Sequence, residues 1–232
     1  MTTSLLGTGS SSSSTTLAIT TTEDAPAGST IVIIVADATL PTSVSTDVSG
    51  NAYLLSTSHT NSGGHTGLAI YDSQNIADLP NGSTITVNWS GSSSAFAAVV
   101  LITGALTSSR DKAATSGNSS GAASSVATGA LTQANEVVIG AIDLRSSPGT
   151  FTDGTGFTNL ADLNSGKFVF SYESVSSTAS VTYNASWTAS GEYESCVASY
   201  EISGGSAVAA SMAMLSGGRG ALAVSGAAPG SA

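Results

Sequence analysis

Thr30-Ile31-Val32-Ile33-Ile34-Val35-Ala36-Asp37 decides the fold of this 232-residue chain, because five β-branched aliphatic residues follow one another without a polar interruption. Residues 97–102, Ala-Ala-Val-Val-Leu-Ile, have the same character. Short runs that are apolar at every position are typical of strands covered by protein on both faces. We therefore predict that residues 31–35 and 97–102 form the central strands of the core.

Shorter β-branched segments recur on both sides of these two stretches, separated by clusters of Gly, Ser, Asn and Asp. Residues 84–89, Thr-Ile-Thr-Val-Asn-Trp, alternate between apolar and polar side chains, which predicts a strand with one buried face and one solvated face. Many short strands with turn signals between them indicate a sandwich or a barrel. The predicted fold class is all-β, an antiparallel, jelly-roll-like β-sandwich.

The predicted strands fall into two similar sets, which indicates an internal repeat. Residues 30–37 align with residues 136–143 at an offset of 106, and Ala98 aligns with Ala198 at an offset of 100. Loops of different length account for the drift in offset. The predicted organisation is an N-terminal arm (1–16), a first β-repeat (17–104), a linker loop (105–125), a second β-repeat (126–204) and a C-terminal low-complexity arm (205–232).

The charge of the chain argues against several classes of partner. Only 9% of the residues are charged, against roughly 25% in an average protein, and the net charge is −10. An acidic surface repels the phosphates of nucleic acids and of anionic membranes. The longest apolar run, residues 95–102, is too short to span a bilayer. We expect neither a nucleic-acid partner nor a membrane partner.

Two sequence features touch on catalysis. Residues 117–121, Gly-Asn-Ser-Ser-Gly, fit the G-x-S-x-G pattern of a hydrolase elbow, in which Ser119 would be the nucleophile, but an elbow needs a strand before it and a helix after it. Here the pattern falls in the predicted linker loop. Carboxylates of the kind a glycosidase uses cluster late in the chain, with nothing to select a proton donor among them: Glu173, Glu192, Glu194 and Glu201. We expect no enzyme active site.

The two histidines, His59 and His65, suggest a metal site together with Asp72 or Asp47, but their spacing matches no common zinc pattern. A polar hairpin loop explains both histidines more simply, and we expect no metal and no cofactor. Residues 110–112, Arg-Asp-Lys, are interpreted as the solvated tip of the linker loop.

Trp89 and Trp187 occupy related places in the two repeats. Large aromatic residues often seal the ends of sandwiches, and exposed ones can stack against sugars. Packing and glycan stacking are therefore both open interpretations of these two residues.

The openings and ends of the repeats carry a family likeness. The chain resembles the jelly-roll or Ig-like β-sandwich modules found in virion structural proteins of tailed bacteriophages. The likeness lies in residues 27–32, Ala-Gly-Ser-Thr-Ile-Val, and 134–138, Ala-Asn-Glu-Val-Val, and in closing strands that end in Gly104 and Gly204. It covers roughly residues 17–204.

The resemblance implies a virion location and a non-catalytic structural role, with other virion proteins and copies of the same chain as partners. Our leading hypothesis is a capsid-decorating or cement protein, and the alternative is a carbohydrate-binding module of a tail fibre or a cell-surface adhesin. Apolar residues in the two arms are the predicted contacts between subunits: Leu5, Leu6, Met212, Met214, Leu215, Leu222 and Val224.

Overall fold

The computed structural model describes residues 1–37, 39–60 and 67–204. These residues form fourteen strands and no helix, so the all-β prediction is confirmed. They also hold no helical segment with the length and apolarity needed to cross a membrane. The strands are β1 (Thr3–Thr20), β2 (Thr30–Asp37), β3 (Ser43–Thr46), β4 (Leu54–Thr60), β5 (Gly67–Ser73), β6 (Thr84–Ile102), β7 (Ala105–Ala123), β8 (Val126–Ala127), β9 (Asn135–Leu144), β10 (Phe151–Thr152), β11 (Thr158–Leu163), β12 (Phe168–Ser176), β13 (Thr182–Tyr183) and β14 (Ser186–Ile202).

Two six-stranded antiparallel sheets share one topology, which confirms the predicted internal repeat. The first sheet has the order β1-β6-β2-β5-β4, and β3 also pairs with β6. In the second sheet β7 and β10 both pair with β14, and β9, β12 and β11 follow. Strands β8 and β13 form a separate two-stranded ribbon beside it. The two long strands β6 and β14 therefore hold equivalent central places in the two repeats.

The register of the repeat differs by one residue from the predicted alignment. Ile34 lies opposite Ala98 in the first sheet, and Ile139 lies opposite Ala198 in the second. Ile34 therefore corresponds to Ile139 at an offset of 105, and the predicted offset of 106 is wrong. A slip of one residue exchanges the two faces of a strand. The alignment by sequence missed the slip because β2 and β9 are mostly apolar on both faces.

The predicted linker loop, residues 105–125, is wrong, since residues 105–123 form β7. This strand pairs antiparallel with β14, from Ala105 opposite Ile202 to Ala123 opposite Ser186. Its composition resembles a loop because few of its side chains are buried. Backbone hydrogen bonds to β14, together with the bulges in their register, specify this strand rather than an apolar face.

The predicted N-terminal arm, residues 1–16, is also wrong as an arm, because it forms most of β1. The strand pairs with β6 along its whole length, from Thr3 opposite Ile102 to Thr20 opposite Thr84. Gly7 lets the two ends of β1 approach each other, since a Cβ atom at that position would lie 2.6 Å from the carbonyl oxygen of Thr20 on the same strand. The repeats therefore begin earlier than predicted, at β1 and β7.

Three apolar layers result from this arrangement. The first inner core lies inside the first repeat and includes Leu6, Leu17, Ile31, Ile33, Val35, Val87, Trp89 and Leu101. The shared core lies between the two sheets and includes Val32, Ile34, Ile70, Val100, Val137, Ile139, Phe168, Phe170, Cys196, Ala198 and Tyr200. The second inner core lies inside the second repeat and includes Val126, Val138, Ile142, Tyr183, Trp187, Tyr193 and Val197.

Strand β2 illustrates why its sequence is apolar throughout. Ile31, Ile33 and Val35 face the first inner core, whereas Val32 and Ile34 face the shared core. The prediction that this strand is covered on both sides is confirmed. Full burial of one such side chain contributes roughly 1.5–3 kcal/mol, so a single strand joins two apolar layers into one body.

Candidate functional site

Trp89 and Trp187 are packing residues. Their exposed fractions are 6% and 5%, and each indole Nε1 donates a hydrogen bond to a backbone carbonyl oxygen, of Thr39 at 3.0 Å and of Gly121 at 3.1 Å. The ring of Trp187 also meets that of Tyr193 edge-on, with 5.1 Å between centroids. Neither indole presents a face to a ligand, so the glycan-stacking interpretation of these two residues is wrong.

The predicted subunit contacts divide into two groups. Leu6 is fully buried in the first inner core, and Leu5 is half-buried against the shared core. Leu6 therefore stabilises its own chain, and its prediction as a contact between subunits is wrong. The other predicted contacts lie outside the described residues: Met212, Met214, Leu215, Leu222 and Val224.

Ser119 does not lie on a hydrolase elbow. It belongs to β7, whose neighbouring residues Gly117 and Gly121 lie opposite Glu194 and Gly191 of β14. An elbow exposes its serine at a turn between a strand and a helix, and Ser119 lies within a strand.

His59 is on β4, where Nδ1 forms a hydrogen bond with the buried Glu194 carboxylate. Asp72 lies at the other end of β5 from the residue that pairs with His59, so the two do not meet. His65 lies outside the described residues.

Polar groups mark both ends of the shared core. At one end Asp143 lies directly opposite Glu194, and burial together with the charges of Glu194 and Asp37 raises the pKa of Asp143 to about 7. At the other end Asp72 is only 1% exposed and accepts a hydrogen bond from Arg110 Nη1 at 3.2 Å. The hydrogen bond between His59 and Glu194 at the first end and the ion pair between Arg110 and Asp72 at the second end each join the first repeat to the second.

The Asp72 end contains further contacts. Ser56 and Gln74 donate hydrogen bonds to the Asp72 carboxylate, and the Tyr200 hydroxyl lies 3.5 Å from its Oδ2. Arg110 also donates to the carbonyl oxygen of Leu55. Residues 110–112 therefore form part of a strand with specific partners, and the interpretation as a solvated loop tip is wrong.

A second acidic group lies at the end of the second sheet, on three neighbouring strands. Asp111 comes from β7, Glu201 from β14 and Glu136 from β9, and one carboxylate oxygen from each lies within 4.8 Å of the other two. Glu201 and Glu136 are directly opposite each other in the register. We call these three residues the carboxylate cluster.

The members of the carboxylate cluster differ in their surroundings. Burial alone would raise the pKa of Asp111, but hydrogen bonds from Thr132 and Lys112 outweigh it and lower the pKa to about 2. Lys112 Nζ lies 2.9 Å from Asp111 Oδ1. Glu136 is fully buried, and this burial, with the nearby charge of Asp111, raises its pKa to about 7. The cluster therefore combines a paired carboxylate with one that resists ionisation.

An open surface pocket of about 420 Å³ lies elsewhere on the second repeat. Its lining includes the half-buried ring of Phe151, the exposed Asn159 and Asp162, and Asp153. Asp153 already accepts hydrogen bonds from Ser171 and from the Tyr183 hydroxyl, so its carboxylate is a structural part of the wall.

No family model, no curated protein and no solved structure matches this chain.

Sequence reasoning missed the carboxylate cluster because it grouped acids by their closeness along the chain. Closeness along the chain groups Glu201 with Glu173, Glu192 and Glu194, whereas the structure places it with Glu136 and Asp111. The internal repeat contains the information needed to predict this cluster, because it indicates which strands are neighbours. Once β14 and β9 are recognised as neighbours, their register brings Glu201 and Glu136 face to face.

Proposed function

We propose that this chain is a non-catalytic structural protein that works as one of many subunits, on the surface of a tailed-phage virion as a capsid-decorating protein. Its partners in this proposal are other virion proteins and copies of itself. The family resemblance supports the setting, and the two packed sheets with their shared core support the mechanical role. A body joined by three apolar layers resists deformation better than two tethered domains do.

One surface feature carries the proposal. Leu54 and Leu55 lie side by side at the start of β4 and are 61% and 48% exposed. Strand β4 is at the edge of the first sheet, where β5 is its only strand partner, and Arg110 of β7 covers part of this edge by donating to the Leu55 carbonyl oxygen. Soluble proteins usually protect such edges with charged side chains or cover them with other structure. Two adjacent exposed leucines at an edge therefore favour a contact with another subunit.

Sedimentation velocity tests this contact. We expect the full chain to associate as its concentration rises, and the variant Leu54→Ser/Leu55→Ser to remain monomeric with unchanged thermal stability. Deletion of residues 205–232 should leave a folded body, because all fourteen described strands precede it, and should weaken assembly. A chain that stays monomeric at every concentration and also fails to bind virion particles would contradict the proposal.

Electron microscopy of virions tests the location. The two-sheet body of this chain should appear as repeated density on the outer surface of the capsid. Density confined to the tail, or none on the particle, would contradict the capsid-decorating role.

The pocket beside Phe151 favours one second candidate, a carbohydrate-binding module. Sugar sites combine an aromatic face with a few polar groups that fix orientation, and Phe151, Asn159 and Asp162 supply both here. Glycan-array binding that is lost in Phe151→Ala and kept in Trp89→Phe would support this candidate. Absence of binding to any glycan would remove it.

A further inference from the structure

We propose that the carboxylate cluster of Asp111, Glu136 and Glu201 binds a divalent hard cation, with Ca²⁺ as the ion that fits best. This ion would join β7, β14 and β9 at the end of the second sheet. The proposal does not depend on the structural role argued above.

The first repeat shows what these three positions contain when no ion is needed. Ile31 lies opposite Leu101 in the first sheet, and Glu136 lies opposite Glu201 at the equivalent place in the second. In the same way Leu5 lies opposite Val100 and Arg110 opposite Tyr200, so the next residue, Leu6, corresponds to Asp111.

All three residues of the first repeat belong to its inner core: Leu6, Ile31 and Leu101. The second repeat therefore has three carboxylates where the first has three apolar side chains. Directly opposed like charges destabilise a pair of strands, and a buried carboxylate is costly unless it is compensated. A compensating positive charge explains why the second repeat tolerates the substitution.

Glu136 points to a ligand independently of the clustering. Its side chain is fully buried, and neither carboxylate oxygen has a hydrogen-bond partner with normal geometry, although Ser199, Asp111 and the backbone of Gln133 lie near enough to affect its pKa. One of its oxygens takes part in the group of three. Buried polar atoms are nearly always satisfied by protein, water or an ion, and this one is directed into the cluster.

The chemistry of the cluster selects the ion. All three ligands are carboxylate oxygens, which favour hard cations such as Ca²⁺ over Zn²⁺. Oxygens bound to Ca²⁺ at about 2.3–2.6 Å lie up to about 5 Å apart across the ion, which agrees with the spacing of at most 4.8 Å. Ca²⁺ also accepts irregular geometry and completes its shell with water, whereas Mg²⁺ requires a near-regular octahedron.

Lys112 is the competing positive charge. Its Nζ lies 2.9 Å from Asp111 Oδ1 and 3.0 Å from the Thr132 hydroxyl. It neutralises one carboxylate of three, so the negative charge of Glu201 remains, and that of Glu136 is added once Glu136 loses its proton. If a cation binds, the positive charge of Lys112 lowers the affinity of the cluster for that cation, and Lys112→Met should tighten Ca²⁺ binding. If Lys112 is instead all that the cluster needs, the same variant should be destabilised with or without Ca²⁺.

Isothermal titration with CaCl₂ after removal of metals with a chelator tests the proposal on the full chain. We expect one ion per chain, an increase in Tm on addition of Ca²⁺, and tighter binding at pH 8 than at pH 5, because protons compete for Glu136. Glu136→Gln and Glu201→Gln should each weaken binding by at least about tenfold. Asp78→Asn removes an exposed acid from the first repeat and should leave binding unchanged.

A transplant of the apolar residues keeps the test informative. The triple variant Asp111→Leu/Glu136→Ile/Glu201→Leu installs the residues of the first repeat. It should fold, unfold at a higher temperature than the chelated wild-type chain, and show no response to Ca²⁺. Absence of Ca²⁺ binding to the wild-type chain would overturn the proposal, and so would binding that persists in the triple variant. A chain that low pH stabilises and Ca²⁺ does not stabilise at pH 8 would show that a proton, and not a cation, compensates the cluster.

Discussion

Gly140 and Tyr183 replace a pair of valines, and exchanging them back gives the sharpest test of the repeat. A Cβ atom at Gly140 would lie 2.6–2.9 Å from three carbons of the fully buried Tyr183 ring. In the first repeat Val35 is equivalent to Gly140 at the offset of 105. Val87 is equivalent to Tyr183, because residues 85–88, Ile-Thr-Val-Asn, align with residues 181–184, Val-Thr-Tyr-Asn, at an offset of 96. Both valines lie in the inner core. The glycine thus leaves the space that the tyrosine ring fills, and neither residue should be replaceable alone.

The structure sets the size of each effect. Gly140→Val forces a side chain into the ring, which should destabilise the chain by roughly 2–3 kcal/mol, the upper range for overpacking. Tyr183→Val removes a buried ring and its hydrogen bond to Asp153, at a cost of roughly 3–4 kcal/mol. The double variant restores the arrangement of the first repeat and should lose only about 2 kcal/mol, mainly from the hydrogen bond and imperfect packing. The coupling energy is then roughly 3–5 kcal/mol, far above the few tenths expected of independent sites.

Urea denaturation followed by tryptophan fluorescence measures these free energies, since Trp89 and Trp187 are buried and report on one repeat each. Gly91→Val is the matched control, because a Cβ atom there would have no neighbour within 4 Å. Its unfolding midpoint should stay close to that of the wild-type chain. Additive losses in the double variant would refute the packing of Tyr183 on Gly140 and the register of 105 on which the comparison rests.

Three further predictions follow from buried polar groups. Asp143 and Glu136 keep their protons up to about pH 7 in the folded state and lose them near pH 4 in the unfolded state. In the presence of a chelator, the free energy of unfolding should therefore fall by roughly 3–6 kcal/mol between pH 4 and pH 7 and then level off. Urea titrations across this pH range measure the change. Arg110→Met leaves the buried Asp72 without its cation and should destabilise the chain by roughly 3–5 kcal/mol, with partial recovery in Arg110→Met/Asp72→Asn; equal losses in both variants would contradict the ion pair. Cys196 lies in the shared core, where burial and the charge of Glu194 raise the pKa of its thiol, so a thiol reagent should react with it only in denaturant.

Much of the fold follows from the sequence because burial on two faces leaves a clear pattern. Residues 31–35 and 97–102 are central strands as predicted, and the repeat appears in the topology. Strands β1 and β7 were missed because their Ser, Thr and Gly side chains show almost no apolar alternation. Such strands are specified by backbone pairing with a long neighbouring strand. The sequences of β6 and β14 therefore determine where β1 and β7 form.

The candidate site was less predictable for a related reason. Glu136 and Glu201 are 65 positions apart, and they meet only because β9 and β14 are adjacent in one register. Asp111 was assigned to a loop that does not exist. A sequence can suggest which residues are acidic and which are buried, but the shared location of three carboxylates depends on sheet order and on a single-residue choice of register.

Each sheet is built from strands of one half of the chain, and residues 103–104 alone separate β6 from β7. During synthesis on the ribosome, the first repeat is therefore complete before the second one emerges. At that moment its inner core can close, but Val32, Ile34 and Val100 form an apolar face that stays exposed to water until the second sheet packs against it. Neighbouring nascent chains on one message display the same face. Correct maturation thus requires the second half to arrive before two such faces meet, and an exchange of halves between chains is the characteristic error of this design.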